Sequence, residues 1–290
     1  VQELLKAESE LICEAKLNCK LAEGCIWDKK NKIVYFVDIE FRFLYIFDPV
    51  HKTISKIPTE SYISDVVLDV DNNPICAVKN TIYNLDLKNT KFTQLIKIDS
   101  MEGLRFNDGK CDKYGNLWIG TMKIEQDEDA LCAGALYCIN QNKVVAKYDD
   151  FTIPNGLAWN NDGSIFYHID TVTKKIDAYD VVDKINLGNK RTVFTFEDEK
   201  GSPDGMCIDA QGRLWVAMWG GYSVNCVDPK TSEIIFTIKV PDKNVTCCAF
   251  GGEELDTLYI TTARSEEGDG GNLYSIKLNT KGVESYRYGK

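Results

Sequence analysis

EGCIWDKKNKIVYFVD (residues 23–38) opens on an acid, runs through a small apolar stretch to Asp28, turns on Lys-Lys-Asn-Lys and resumes as a β-rich stretch. The same pattern returns as SDVVLDVDNNPICAV (64–78), NDGKCDKYGNLWIGT (107–121), NGLAWNNDGSIFYHID (155–170), DGMCIDAQGRLWVA (204–217) and TCCAFGGEELDTLYIT (246–261). Each copy starts at an oxygen-bearing side chain and reaches Asp, Asn or Gly five positions later. The starts lie 41, 43, 48, 49 and 42 residues apart. A repeat of this length, built of short strands and tight turns, predicts propeller blades around an axis.

Four strands fit each copy; in the first they are 24–27, 33–38, 43–47 and 53–57. Hairpin turns such as DKYGN, NNDGS and DAQGR carry the Gly, Asn and Asp that such turns need. The expectation is an all-β, six-bladed propeller of four-stranded blades around a metal-containing central channel. It forms one domain over residues 1–290, with blades starting near 23, 64, 107, 155, 204 and 246. Residues 10–17 read as a lone strand that closes the ring by pairing near 283–288. The first ten residues fray or form a short helix.

Composition narrows the function. No apolar run approaches the roughly 20 residues that a membrane-spanning helix needs, so no membrane partner is expected. The formal charge is −10 with no clustered Lys and Arg, which argues against nucleic acid. Acidic runs at 125–129, 197–199 and 266–269 read as solvated loops. The 11 cysteines form no C-x-x-C pair and no zinc spacing. Many fall within strands, where a reduced thiol behaves as a small apolar group, so a cytoplasmic location is expected. The Asn-x-Thr sequon at Asn244 is discounted because a glycan there would sit at the propeller mouth.

Repeat-equivalent residues of a propeller lie at one height around the axis. The first residues of the copies, Glu23, Ser64, Asn107, Asn155, Asp204 and Thr246, therefore form a ring at the mouth of the channel. Taken singly, Asn and Asp here do no more than cap turns. Together, carboxylate and amide oxygens with no Cys or His suit a hard divalent cation such as Ca²⁺, Mg²⁺ or Mn²⁺. Glu23 and Asp204 supply two negative charges, Asn107 and Asn155 neutral carbonyl oxygens, and Ser64 and Thr246 reach only through water. The connection after each second strand returns to this mouth, which places KIEQDEDALCA after Met122, WGGYS from Trp219 and RSEEGDGG from Arg264 there. Arg105, two residues before Asn107, is a candidate donor to a substrate oxygen. Trp219, Tyr222 and Phe106 would favour a less polar substrate if they face inward.

RFNDGK with Asn107, GTM at 120–122, PNGLAW with Asn155, SPDGM with Asp204 and AEGCIWD with Glu23 resemble motifs of the senescence marker protein, regucalcin and gluconolactonase family. The likeness runs in order along essentially the whole chain, although Cys25 stands where Pro is common. The resemblance implies a six-bladed, metal-dependent lactonase holding one divalent cation (Ca²⁺, Mg²⁺, Mn²⁺ or Zn²⁺). It implies Glu23, Asn155 and Asp204 as metal ligands, with Asn107 a further or water-mediated one, and Arg105, Asn107 and Glu125 as substrate contacts. At Glu125 the run KIE replaces a more typical small or acidic one.

The expected function is gluconolactonase-like ring opening of sugar-type lactones by a monomer. Asp204 activates water for attack on a carbonyl polarised by the metal. The alternatives are a non-catalytic, calcium-binding regulatory propeller of the regucalcin kind, or a hydrolase of a non-sugar substrate like the luciferin-regenerating or organophosphatase members. A Ser-His-Asp triad fails on inventory, because only His51 and His168 exist and neither sits near a nucleophile at the mouth. His51 reads as a turn residue and His168 as a packed strand residue.

Overall fold

A computed structural model of the protein describes residues 4–289. After β1 (Ile12–Ala15), the first blade is β2 (Ala22–Asp28), β3 (Ile33–Asp38), β4 (Phe43–Asp48) and β5 (Thr53–Pro58). The second is β6 (Ile63–Leu68), β7 (Pro74–Val78), β8 (Thr81–Asp86) and β9 (Lys91–Lys97). The third is β10 (Leu104–Cys111), β11 (Leu117–Lys123), β12 (Gly134–Asn140) and β13 (Lys143–Phe151). The fourth is β14 (Pro154–Trp159), β15 (Ile165–Asp170), β16 (Lys175–Asp183) and β17 (Asn186–Thr195). The fifth is β18 (Ser202–Ile208), β19 (Leu214–Trp219), β20 (Ser223–Asp228) and β21 (Glu233–Lys239). The last joins β22 (Asn244–Gly251), β23 (Thr257–Ala263) and β24 (Leu273–Lys277) to β1 as its outer strand. The six-bladed all-β fold read from the repeat is therefore the fold observed.

Ring closure differs from the expectation. β1 pairs antiparallel with β24, Ile12 opposite Ser275, and not with residues 283–288. That later segment instead crosses the far end of the channel. Lys281 O accepts from Ala210 N, and Tyr288 N donates to Leu68 O, so the tail passes from blade 5 to blade 2. Among the first ten residues, those described form no helix, and Ala7 makes a lone bridge to Leu278. Residues 1–3 lie outside the described set.

In copies that carry Asp five positions after the first residue, that carboxylate explains why the turn forms. Asp112 Oδ1 accepts from the Tyr114 and Asn116 amides, and its Oδ2 accepts from the Trp118 indole at 2.8 Å. Asp209 does the same for Gln211, Arg213 and Trp215, with the Trp215 indole at 3.0 Å. One buried carboxylate thus closes the hairpin and anchors the tryptophan of the second strand. Asp209→Ala leaves these donors and the Arg213 guanidinium without their acceptor. A loss of about 3 kcal/mol is expected, read as a fall in the thermal midpoint of several degrees.

The core lies between blades. Six clusters of buried side chains fill the six seams, for example Trp118, Leu136 and Cys138 against Leu157, Trp159 and Phe166 between blades 3 and 4. Phe106 is fully buried in the seam between blades 2 and 3, not at the mouth, which removes it from the substrate surface. All 11 cysteines are free thiols, 9 of them buried, as their strand positions suggested. The three acidic runs are exposed, again as expected. Among the described residues, no helix is long and apolar enough to cross a membrane.

His168 is 1% exposed on β15 and stacks against Phe166 at 5.6 Å, with Phe151 edge-on at 4.9 Å. Burial depresses its pKa from 6.5 to about 3, against the pull of Asp177. The fold therefore accepts only the neutral imidazole. Stability is intact above the unfolded value of 6.5 and falls as pH drops from there toward the folded value. By pH 5 the loss from this group reaches about 2 kcal/mol. Urea unfolding of the wild type and His168→Phe at pH 7 and pH 5 should show a gap that opens on acidification; a constant gap contradicts the assignment.

Candidate metal and substrate site

A β-bulge falls at the ring position of every inner strand. The register slips between Glu23 and Ile26, Ile63 and Asp65, Phe106 and Gly109, Pro154 and Leu157, Pro203 and Met206, and Val245 and Cys247. A bulge bends the strand and re-aims the side chain beside it. Six bulges at one height turn six side chains toward the axis, all of them buried.

The structure brings Glu23, Asn107, Asn155 and Asp204 together at one end of the channel. Glu23 from blade 1 and Asp204 from blade 5 lie close enough that each shifts the other's ionisation. Burial raises the Glu23 pKa to about 8, helped by the charge on Asp108, while the Gly24 amide, 3.0 Å away, works the other way. Burial and then Glu23 push Asp204 well above the carboxylate range. Asn107 Nδ2 donates to Asn155 Oδ1 at 3.0 Å and to Pro154 O at 2.9 Å. Asn155 Nδ2 donates to Thr171 Oγ1 at 2.8 Å.

Arg105 is 7% exposed, and its Nη1 donates to Asn107 Oδ1 at 2.8 Å and to Phe106 O at 2.9 Å. Burial pulls its pKa down, opposed first by Glu23. The Asn107 amide is thus engaged on both sides. Ser64 Oγ is buried without a partner, and Thr246 Oγ1 is spent on Ala22 O and Thr261. Glu125 is exposed on the loop after β11, apart from the buried set. That loop does return to the mouth, since Leu104 at the start of β10 pairs with Lys123 at the end of β11.

Sequence reading missed the layer beneath the ring. Asp65 and Asp108 follow the ring position in blades 2 and 3, where three other copies have Gly. The signal was that departure from Gly. A Cβ on Gly24 would stand 2.7 Å from Asp65 Oδ1, and one on Gly109 2.7 Å from Asp65 Oδ2, so these glycines make room for the carboxylate. Burial raises both acids, Asp108 to about 6. Lys110 is the cation whose charge acts on both: burial works against its ammonium, the charge on Asp108 outweighs it, and Nζ donates to Met206 O at 2.6 Å. These groups line a cavity of about 70 Å³ whose far end is covered by residues 283–286.

Among the described residues, no three His, Cys, Asp or Glu side chains cluster as metal ligands. The ring therefore offers two carboxylates completed by amide oxygens. That set fits a hard divalent cation, which offsets two like charges forced together out of water.

A channel mouth ringed by buried carboxylates and amides defines a propeller with an all-oxygen axial site. The chain belongs to the SMP-30/Gluconolactonase/LRE-like family, whose model matches residues 21–264. It is 37% identical over 286 residues to a putative sugar lactone lactonase, YvrE, of Bacillus subtilis, covering 95% of this chain and 97% of the relative. It is 33% identical to human regucalcin, with the same coverage. A solved calcium-binding protein, regucalcin, from Agrobacterium tumefaciens superposes with a TM-score of 0.89 at 25% identity, covering 96% of this chain and 97% of that one.

Proposed function

We propose that this chain is a divalent-metal-dependent lactonase that opens the ring of sugar-type lactones. The observation that carries the reading is the pairing of Glu23 and Asp204, two buried carboxylates close enough to perturb each other, with the buried Arg105 guanidinium alongside. Glu23, Asp204 and Asn155 Oδ1 would hold the cation, with Asn107 acting through water. When bound, the cation supplies Lewis-acid polarisation of the lactone carbonyl and a lowered pKa for water.

The chain's own groups do the rest. Asp204, a carboxylate with a second oxygen to spare beside the cation, would take the proton from water. Arg105 and Asn107 orient a ring substituent. Glu125, exposed on the loop that returns to the mouth, would be a further substrate contact. The enzyme works as a monomer in the cytoplasm, a location supported by its buried free thiols.

One observation favours a less polar lactone. Three exposed aromatic side chains gather at the mouth: Phe41 and Tyr222 on connections that follow second strands, and Trp219 at the end of β19. Trp219 pairs with Ser202, two residues from Asp204 on the neighbouring strand. The test is a panel of sugar, alkyl and aryl lactones assayed with chelator and with Ca²⁺, Mg²⁺, Mn²⁺ or Zn²⁺ restored. Hydrolysis that needs the cation supports the proposal. Cation binding with no hydrolysis of any lactone would instead support a regulatory, calcium-binding propeller.

A further inference from the structure

The hydrogen bonds joining blades 3, 4 and 5 run in one direction, and backbone carbonyls set that direction. Pro203 O, the carbonyl just before Asp204, can only accept, and it accepts from Thr171 Oγ1 at 2.8 Å. The Thr171 proton is thereby committed, so the hydroxyl offers lone pairs to Asn155 Nδ2, also at 2.8 Å. With its amino group held outward, Asn155 turns Oδ1 toward Asn107 and the ring. At the other end Pro154 O accepts from Asn107 Nδ2, leaving Asn107 Oδ1 to receive Arg105. Turning Asn155 over would set its amino group against that of Asn107, two donors with no acceptor between them.

Thr171 lies on the connection after β15, outside the repeated motif, and its side chain ties β14 to β18. We infer that Thr171 is a positioning residue that fixes the Asn155 carbonyl oxygen toward the axis and sets its separation from Asp204, and so tunes affinity for the cation. The inference rests on the cation reading of the ring given above. Groups that orient a ligand from behind typically contribute about 10- to 100-fold in metal affinity. Ser keeps the hydroxyl at the same position, whereas Val keeps the shape without it.

The test is calorimetric titration of the full-length protein with Ca²⁺ alone, with no substrate present. Thr171→Val is expected to weaken binding by about 10- to 100-fold, Thr171→Ala to match it, and Thr171→Ser to bind within about threefold of wild type. The thermal midpoint of each variant in chelator controls for folding; a structural role would lower that midpoint without changing the Ca²⁺ affinity of the folded protein. If wild type binds Ca²⁺ and Thr171→Val and Thr171→Ala bind it equally well, Thr171 does not position Asn155. If wild type binds no Ca²⁺, the reading of the ring as a calcium site fails, a separate outcome.

Discussion

Asp204→Ala is expected to lose lactone hydrolysis by a factor on the order of 10³ or more and to weaken cation binding in the same protein. In the proposed mechanism one carboxylate serves both purposes, holding the cation with Glu23 and taking the proton from water. Asp204→Asn separates them. The amide keeps a carbonyl oxygen for the cation but cannot accept a proton, so this variant should retain more affinity than activity. Measured kcat and cation affinity falling in parallel in both variants would assign Asp204 to the metal alone. Full turnover in Asp204→Asn would remove it as the base.

The second large effect concerns Arg105. Its guanidinium is buried beside Glu23 and reaches Asn107. It repels a cation at the ring, so Coulomb's law forbids its removal from weakening cation binding through charge. Arg105→Ala should therefore bind the divalent cation as tightly as wild type or more so. Its kcat/KM for a lactone should fall about 10- to 150-fold, the cost of losing a charge-assisted hydrogen bond of about 1.5–3 kcal/mol made in the transition state. Affinity that collapses along with activity would show that Arg105 works by holding Asn107 in place. Unchanged turnover would put the substrate elsewhere in the mouth.

How much of this was legible follows from what repeats. Six inner strands share one bulge, and four of them a turn acid (Asp28, Asp69, Asp112 and Asp209), so period and ring were visible from residue types alone. Features that break the repeat were not. Asp65 and Asp108 stand where other copies have Gly, and only the packing shows that Gly24 and Gly109 leave space for a carboxylate. Thr171 lies on a connection with no repeat equivalent, and its role depends on the approach of two adjacent blades. Phe106 was misplaced for a related reason: its neighbours Arg105 and Asn107 belong to the mouth, but strand alternation turns it into the seam. The closing strand was recognised, while its partner was not, because β24 and residues 283–288 read alike in sequence. Only register and the tail's bonds across the far end distinguish them.

Glu23, Asn155 and Asp204 are proposed to hold a single divalent cation at the mouth of the axial channel. A crystal structure of the protein grown with Ca²⁺ tests it most directly. The predicted result is one ion on the axis, with oxygens of Glu23, Asn155 and Asp204 at about 2.3–2.6 Å and water completing its shell. An axis without an ion, and Ca²⁺ bound only to the exposed acidic loops at 125–129 or 266–269, would contradict it.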